Sequence, residues 1–305
     1  MPTESHRVAA RGALAAGVSF LLWGLWPLYW RELQSVSPLE LIAHRIVWSL
    51  LLLLAFMIVQ RALRQLRAAL TTAAVAGASL LSGVLLATNW TIYVWSVNNG
   101  HVIDSSLGYF LTPLCNVALG FVFLNERLRV PQWTAVGLAV AGVAVLLFRA
   151  GHLPWIALSL ASSWSLYGVL KKKSTLGPIT GLTLETLLLS PFAAALLLWR
   201  LRAGVSAFAQ HSEGLDALIV ASGLITTIPL LLFAYGARRI RLATLGLLQY
   251  IAPSVQFVLG LRLYNEPLDA VRLHACLLIW CGLIIYTADS FWTQRARFRP
   301  AADAA

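Results

Sequence analysis

Charge is scarce in this chain. Only 11% of its 305 residues are Asp, Glu, Lys or Arg, where a soluble domain carries about 25%. So few charges cannot surface a chain of this length for water, which excludes an ordinary soluble protein as well as the disordered and fibrous classes. Acidic residues are the scarcer sign, 12 against 23 Lys and Arg, for a net charge of +11. In a soluble chain that excess would suggest nucleic acid. No zinc-finger spacing, helix-turn-helix pattern or basic–aromatic surface accompanies it, so no nucleic-acid partner is expected. Cysteine is nearly absent. Cys115, Cys276 and Cys281 all sit in apolar runs without a CxxC pair, which excludes a disulfide framework. Enzyme motifs are missing too: there is no G-x-S-x-G, P-loop, G-x-G-x-x-G or H-E-x-x-H. The sequence therefore predicts no enzyme, no cofactor and no metal, and any pumping must draw on a gradient or a partner.

What the chain has is apolar surface. Hydrophobic residues make up 59% and the mean hydropathy is +0.76. They run the whole length, which excludes a single anchor on a soluble head and leaves an all-α polytopic membrane protein. Arg7 and Arg11 precede the first apolar stretch, as in a signal peptide. That stretch, 13–30, is followed by Arg31-Glu32 rather than a small-residue cleavage site, so it reads as an uncleaved first span. Nine more follow, at 39–59, 74–97, 103–124, 133–148, 153–170, 179–199, 217–236, 242–263 and 272–289, each near the ~20 residues a bilayer crossing needs. Almost all connections are short; the longest lies around 200–216.

Lys and Arg set the orientation. Arg7 and Arg11, Arg61, Arg64 and Arg67, Arg127 and Arg129, Lys171 to Lys173, Arg238, Arg239 and Arg241, and the tail arginines 295, 297 and 299 fall on one side. Arg31, Arg149, Arg200, Arg202, Arg262 and Arg272 fall on the other. The asymmetry predicts both termini in the cytoplasm.

The sequence repeats itself. PLCNVALGFVFLNERL (113–128) and PSVQFVLGLRLYNEPL (253–268) share Pro, Leu-Gly, Asn-Glu and Leu at a fixed offset. Trp23-Gly24 and Tyr167-Gly168 hold the same place in the first span of each half, and Glu40 and Glu185 stand near the start of each second span. Two five-helix halves, 1–150 and 151–305, are therefore expected. Five is odd, so the second enters the membrane from the opposite side, giving an inverted repeat with its site at mid-membrane. A pore or a carrier both fit that arrangement.

Polar residues at helical spacing pick out inward faces. Spans 1, 3, 4, 6, 8 and 9 carry such stripes, and they nominate Trp23, Asn89, Tyr93, Tyr109, Asn116, Tyr167, Gln249 and Gln256 as solute contacts. Aromatic walls with a few polar anchors suit small organic molecules. Trp30, Trp133, Trp199 and Trp292 are expected at the membrane interfaces. Spans 5 and 10 lack stripes and read as packing helices or a homodimer face, through the small residues Gly137 and Ala141. Pro113 and Pro253 are expected to kink helices four and nine. Glu40, His44 and Arg45 in span 2, with Glu185 in span 7, form the candidate charged or coupling set. They read either as capping, interfacial and packing groups or as a proton-coupling or substrate-carboxylate site. Glu126 and Glu266 read as caps or loop anchors.

The Asn-Glu repeat ends resemble the EamA repeat of the drug/metabolite transporter superfamily. The blocks WGLWPLYW (23–30), LELIAHRIVWS (39–49), NWTIYVWSVNNGHVIDSSLGYFLTPL (89–114), YGVLKKK (167–173), ETLLLSPF (185–192), TTIPLLLF (226–233) and TLGLLQYIAPS (244–254) are similar to its RarD subgroup, named for chloramphenicol sensitivity. The likeness runs from about residue 12 to 290. It implies a bacterial inner-membrane carrier of ten helices that works by alternating access on small metabolites or drugs. It carries no defined cargo and no mechanistic residue set.

Overall fold

The computed structural model describes residues 4–99, 101–150, 154–210, 212–263 and 270–296. Among these residues the chain is all helix, with no strand. The elements are α1 (Glu4–Arg31), α2 (Pro38–Val59), α3 (Leu63–Thr71), α4 (Ala73–Asn98), α5 (Val102–Leu124), α6 (Val130–Ala150), α7 (Trp155–Lys173), α8 (Pro178–Arg202), α9 (Glu213–Ala237), α10 (Leu242–Gln249), α11 (Ile251–Leu263) and α12 (Ala270–Ala296). Local chemistry sets several boundaries. Pro38 and Pro178 open α2 and α8, where a missing N–H costs nothing. Ser212 caps α9 by accepting the Leu215 N–H, with Glu213 and Asp216 in the first turn facing the positive end of the dipole. Asn125 ends α5 in the left-handed region at φ 51°.

Among the described residues, eight helical stretches are long and apolar enough to cross a membrane. Two expected spans fall short of that measure. α7 carries Ser159, Ser162, Ser163 and Ser165 and ends in three lysines, and α12 supplies a shorter apolar run, Leu273–Asp289. The outer surface is apolar: Leu14, Phe121, Phe148, Phe192 and Ile284 are all exposed. The interior combines apolar clusters with buried polar groups, among them Ser19, Glu40, Thr183 and Ser222. An apolar exterior over an interior that shelters polar groups suits a lipid environment.

The connections gather at two ends of the bundle. At one end, Gly12 of α1 lies against Arg239 and Ile240, Arg238 donates to the Leu176 carbonyl, and Arg241 Nη1 donates to the Arg127 carbonyl at 3.1 Å. Arg129 pairs with Asp289 at 2.6 Å and Thr180 bonds Gln65 at 3.2 Å. The connections carrying the excess of basic residues therefore share one face. At the other end, Glu40 holds the α8–α9 connection, the Tyr29 hydroxyl donates to the Leu218 carbonyl, and the Trp95 ring meets His101 and Trp155.

Three features depart from the sequence reading. The arginine-rich connection 60–72 is not a plain loop. It contains α3, whose Leu66 and Ala69 are buried in a cluster with Met57 and Leu184 while its arginines face out. Pro253 divides its span outright, one turn upstream. It cannot donate to the Gln249 carbonyl, so α10 ends there and Tyr250 N–H closes on Leu247 instead, at 3.1 Å. The Tyr250 hydroxyl then anchors the break to the Phe110 carbonyl at 3.1 Å. Pro113, its counterpart, sits inside a continuous α5. Finally, α6 does pack, but on α12 and through other residues. A Cβ on Gly142 would stand 2.8 Å from the Ala275 carbonyl, and one on Gly282 would stand 2.7 Å from that of Ala135. Gly137 and Ala141 face outward, with nothing within 4 Å of the Gly137 position.

Candidate substrate cavity

A cavity of about 380 Å³ lies inside the bundle, a size at the small end of ligand sites. Its deep part is formed by Phe20 and Trp23 of α1, Trp164 of α7 and Leu230 of α9; toward one end it reaches Leu33, Gln34 and Val36 in the α1–α2 connection. The α1 indoles follow from sequence spacing. Trp23, Trp26 and Trp30 recur every three to four residues, so they share a face. Their rings contact one another edge to face, at 6.0 Å and 5.3 Å between centroids. Trp30 thus lines the wall from the last turn of α1. Trp133 and Trp199 are indeed exposed near helix ends; the side chain of Trp292 lies outside the described residues.

Six of the eight nominated contacts are in the wall: Trp23, Asn89, Tyr93, Tyr109, Gln249 and Gln256. Tyr93 and Tyr109 meet at 5.9 Å between ring centroids. Asn89 Nδ2 donates to the Leu160 carbonyl at 2.8 Å and to Ser163 Oγ at 2.9 Å, tying α4 to α7. Gln256 Nε2 donates to the Trp23 carbonyl at 3.3 Å, tying α11 to α1. The other two lie behind the wall. Asn116 donates to Gln249 Oε1 at 3.2 Å. Tyr167 is fully buried, stacked on Phe233 and 3.5 Å from Glu185. A helical stripe gives an azimuth but no depth, so it could not separate wall from backing layer.

The second span, absent from the six expected to see the cavity, supplies its one charged side chain among the described residues, Arg45. The guanidinium carbon sits 4.1 Å from the Trp90 centroid and 5.0 Å from those of Trp26 and Trp30. Its Nε donates to Thr226 Oγ1 at 2.8 Å, and its buried Nη2 has no acceptor.

The remaining charged candidates sit elsewhere. Glu40 is fully buried and accepts from Arg200 Nε at 3.0 Å, Ser206 Oγ at 2.9 Å and the Ala207 N–H at 2.8 Å. His44 Nε2 is 3.8 Å from it and makes no hydrogen bond. Glu185 pairs with Lys171 at 2.6 Å, both buried. Lys171 had been assigned only to the basic rim. Its position in the last turn of α7, facing the second span of its own half, was the available signal. No group of three or more His, Cys, Asp and Glu among the described residues could hold a metal.

At the basic end Glu126 ties the end of α5 to the start of α10. Its carboxylate accepts from the N–H groups of Leu242 at 2.7 Å and Ala243 at 3.1 Å, capping α10, and Lys172 lies 3.5 Å away. Lys172 also donates to the Ile240 carbonyl. Glu266, the other half's equivalent, lies outside the described residues.

Comparisons with known proteins agree with this architecture. The family described as "EamA-like transporter family" matches residues 10–148 and again 154–288. A Salmonella typhi protein named "Protein RarD" is 41% identical over 287 residues, covering 94% of this chain and 98% of its own. An "Uncharacterized transporter" of Vibrio cholerae is 40% identical over 297 residues, covering 97% and 98%. A solved crystal structure matches 93% of this chain and 99% of its own at a TM-score of 0.70 and 20% identity, a likeness of fold alone.

Proposed function

The chain belongs to the EamA-like transporter family, and from that premise we propose that it is a secondary-active carrier of small organic solutes, exporting or exchanging them by alternating access. The observation that carries this reading is the cavity. It is enclosed by aromatic rings, reaches the α1–α2 connection at one end, and is separated from the basic end by the Glu126 ties. A continuous pore would need both ends open at once.

The proposal includes ten spans arranged as two inverted halves, 1–150 and 151–305. Helix pairing supports it. Exchanging α1, α2, α4, α5 and α6 for α7, α8, α9, α10–α11 and α12 turns the α1–α9 pair into α7–α4, α1–α11 into α7–α5, and α2–α9 into α8–α4. The α2–α8, α5–α10 and α6–α12 pairs map onto themselves, and every one of these pairs is present. α1 starts at the basic end and α7 at the other, as inversion requires. The excess of Lys and Arg supports a basic end, with both termini, on the cytoplasmic side of a bacterial inner membrane.

Trp23, Asn89, Tyr93, Tyr109, Gln249 and Gln256 contact the solute, with Asn116 and Tyr167 supporting them. Glu185, held among the described residues only by Lys171 and a tyrosine at 3.5 Å, is the coupling candidate its sparser partners favour. Purified protein, screened by thermal shift against metabolites and antibiotics, supplies a solute for proteoliposomes. Saturable uptake stimulated by internal solute is expected. Non-saturating conductance would replace the carrier with a pore.

A further inference from the structure

An arginine inside a lipid-embedded bundle is costly unless its charge is answered. Lys171 is as buried as Arg45 and has Glu185 at 2.6 Å; Arg200 has Glu40 at 3.0 Å. Arg45 has no carboxylate among the described residues. Three indole faces hold its charge, yet a π face accepts no proton in a strong hydrogen bond, so they leave guanidinium donors open. One of these, Nη2, is buried without an acceptor. Among the described residues, the wall around it contains no Asp or Glu. Of the wall amides, Asn89 and Gln256 donate to backbone carbonyls of α7 and α1. Arg45 is the one charged donor among the described wall residues.

Resting on the carrier reading, we propose that this cavity selects organic monocarboxylates with a flat apolar body, and that Arg45 is the residue that holds the carboxylate. The solute supplies the counter-charge that Arg45 lacks among the described residues. Thr226 fixes the guanidinium through Nε, so the group is oriented before the solute arrives. Trp23, Trp26 and Trp164 offer faces and edges to the apolar body. A cation of the same shape meets the uncompensated charge of Arg45 and is rejected. This reading also parts the charged trio of the second span: Glu40 and His44 lie outside the wall, and Arg45 alone is in it.

The wall tryptophans permit a direct test with nitroaromatic quenchers of one shape and three charges. The full chain in neutral detergent is titrated with 4-nitrobenzoate, 4-nitrobenzamide and 4-nitrobenzylammonium while indole emission is followed. The benzoate is expected to half-saturate at a concentration about tenfold below the amide, because a hydrogen bond to a charged group is the stronger one. The ammonium should be weakest. In Arg45→Gln the benzoate and amide should converge, with the amide unchanged, which also reports an intact cavity. Arg45→Lys should keep the order of the three with a smaller gap, and together with the native protein it decides the matter if Arg45→Gln does not fold. Equal half-saturation of benzoate and amide in the native protein, or an anion preference that survives in Arg45→Gln, would overturn the assignment and leave the carrier reading standing. An absence of saturable quenching by all three would remove the cavity as a solute site and bring down both.

Discussion

Arg200 Nε donates to Glu40 Oε2 at 3.0 Å across 160 residues of sequence, and so clamps the end of α8 to the start of α2. With Ser206 and Ala207 also donating to Glu40, the carboxylate fixes the α8–α9 connection. A carboxylate held by three donors acts as an anchor, and a travelling proton would compete with them. Glu185 differs: its partners are one lysine and a tyrosine 3.5 Å away.

The two acids should therefore separate under substitution. Glu40→Gln removes one charge of a buried pair and is expected to cost on the order of 3 kcal/mol, seen as a lower melting temperature, with any pH-gradient dependence of transport retained. Glu185→Gln should abolish gradient-driven accumulation while solute exchange continues. Transport of Glu40→Gln that no longer responds to a pH gradient in stable protein would return Glu40 to the coupling role.

Glu126 is expected to govern access from the basic end. Glu126→Ala leaves the Leu242 and Ala243 N–H groups of α10 without their acceptor and Lys172 without its carboxylate. Loss of a helix cap costs about 1 kcal/mol. The larger effect should be conformational. Ser165, which donates to the carbonyl of the wall residue Thr112 at 3.3 Å, is the reporter: a cysteine at Ser165 should react with impermeant maleimide from the basic side faster in Glu126→Ala than in the parent. An unchanged labelling rate would mean that Glu126 caps a helix and gates nothing.

Much of this could be read in advance, because lipid makes hydropathy decisive. The repeat, the basic asymmetry and the aromatic face of α1 are all periodic signals. What escaped reading depends on depth or on distant partners. Asn116 and Tyr167 share their faces with true wall residues but sit one layer back. Arg45 looked like one of three clustered charges in span 2. Its separation from Glu40 depends on Arg200 and Thr226, each more than 150 residues away. The partner of Lys171 and the docking of α3 are likewise tertiary facts.

Two glycines should respond in opposite ways. A Cβ on Gly223 would stand 2.5 Å from the Trp48 Cβ and 2.7 Å from the Trp48 backbone, so Gly223→Ala forces α2 and α9 apart. Overpacking of this kind costs about 1–3 kcal/mol. Gly137→Ala meets nothing within 4 Å and gains helix propensity, up to about 1 kcal/mol. Thermal unfolding in detergent should show the first falling and the second level or raised. A fall for Gly137→Ala would mean that a second copy of the chain packs on that face.

Tyr109 offers the most direct check of the cavity. It is 36% exposed within a bundle where Tyr167 and Tyr250 are wholly buried, so its surface opens onto the cavity it lines. Tyr109→Ala removes a ring that touches Tyr93 and leaves the packing clusters around Tyr167 and Tyr250 in place. Saturable solute flux is expected to be lost, with the protein still monodisperse and its melting temperature close to that of the parent. Trp23→Ala should also abolish flux, but with some loss of stability, because Trp23 contacts Phe20, Trp164 and Phe233 as well as the cavity. That difference matters to the interpretation. Flux lost in both but stability lost only in Trp23→Ala would tie transport to the wall itself. Normal flux in both variants would place the solute path outside this cavity.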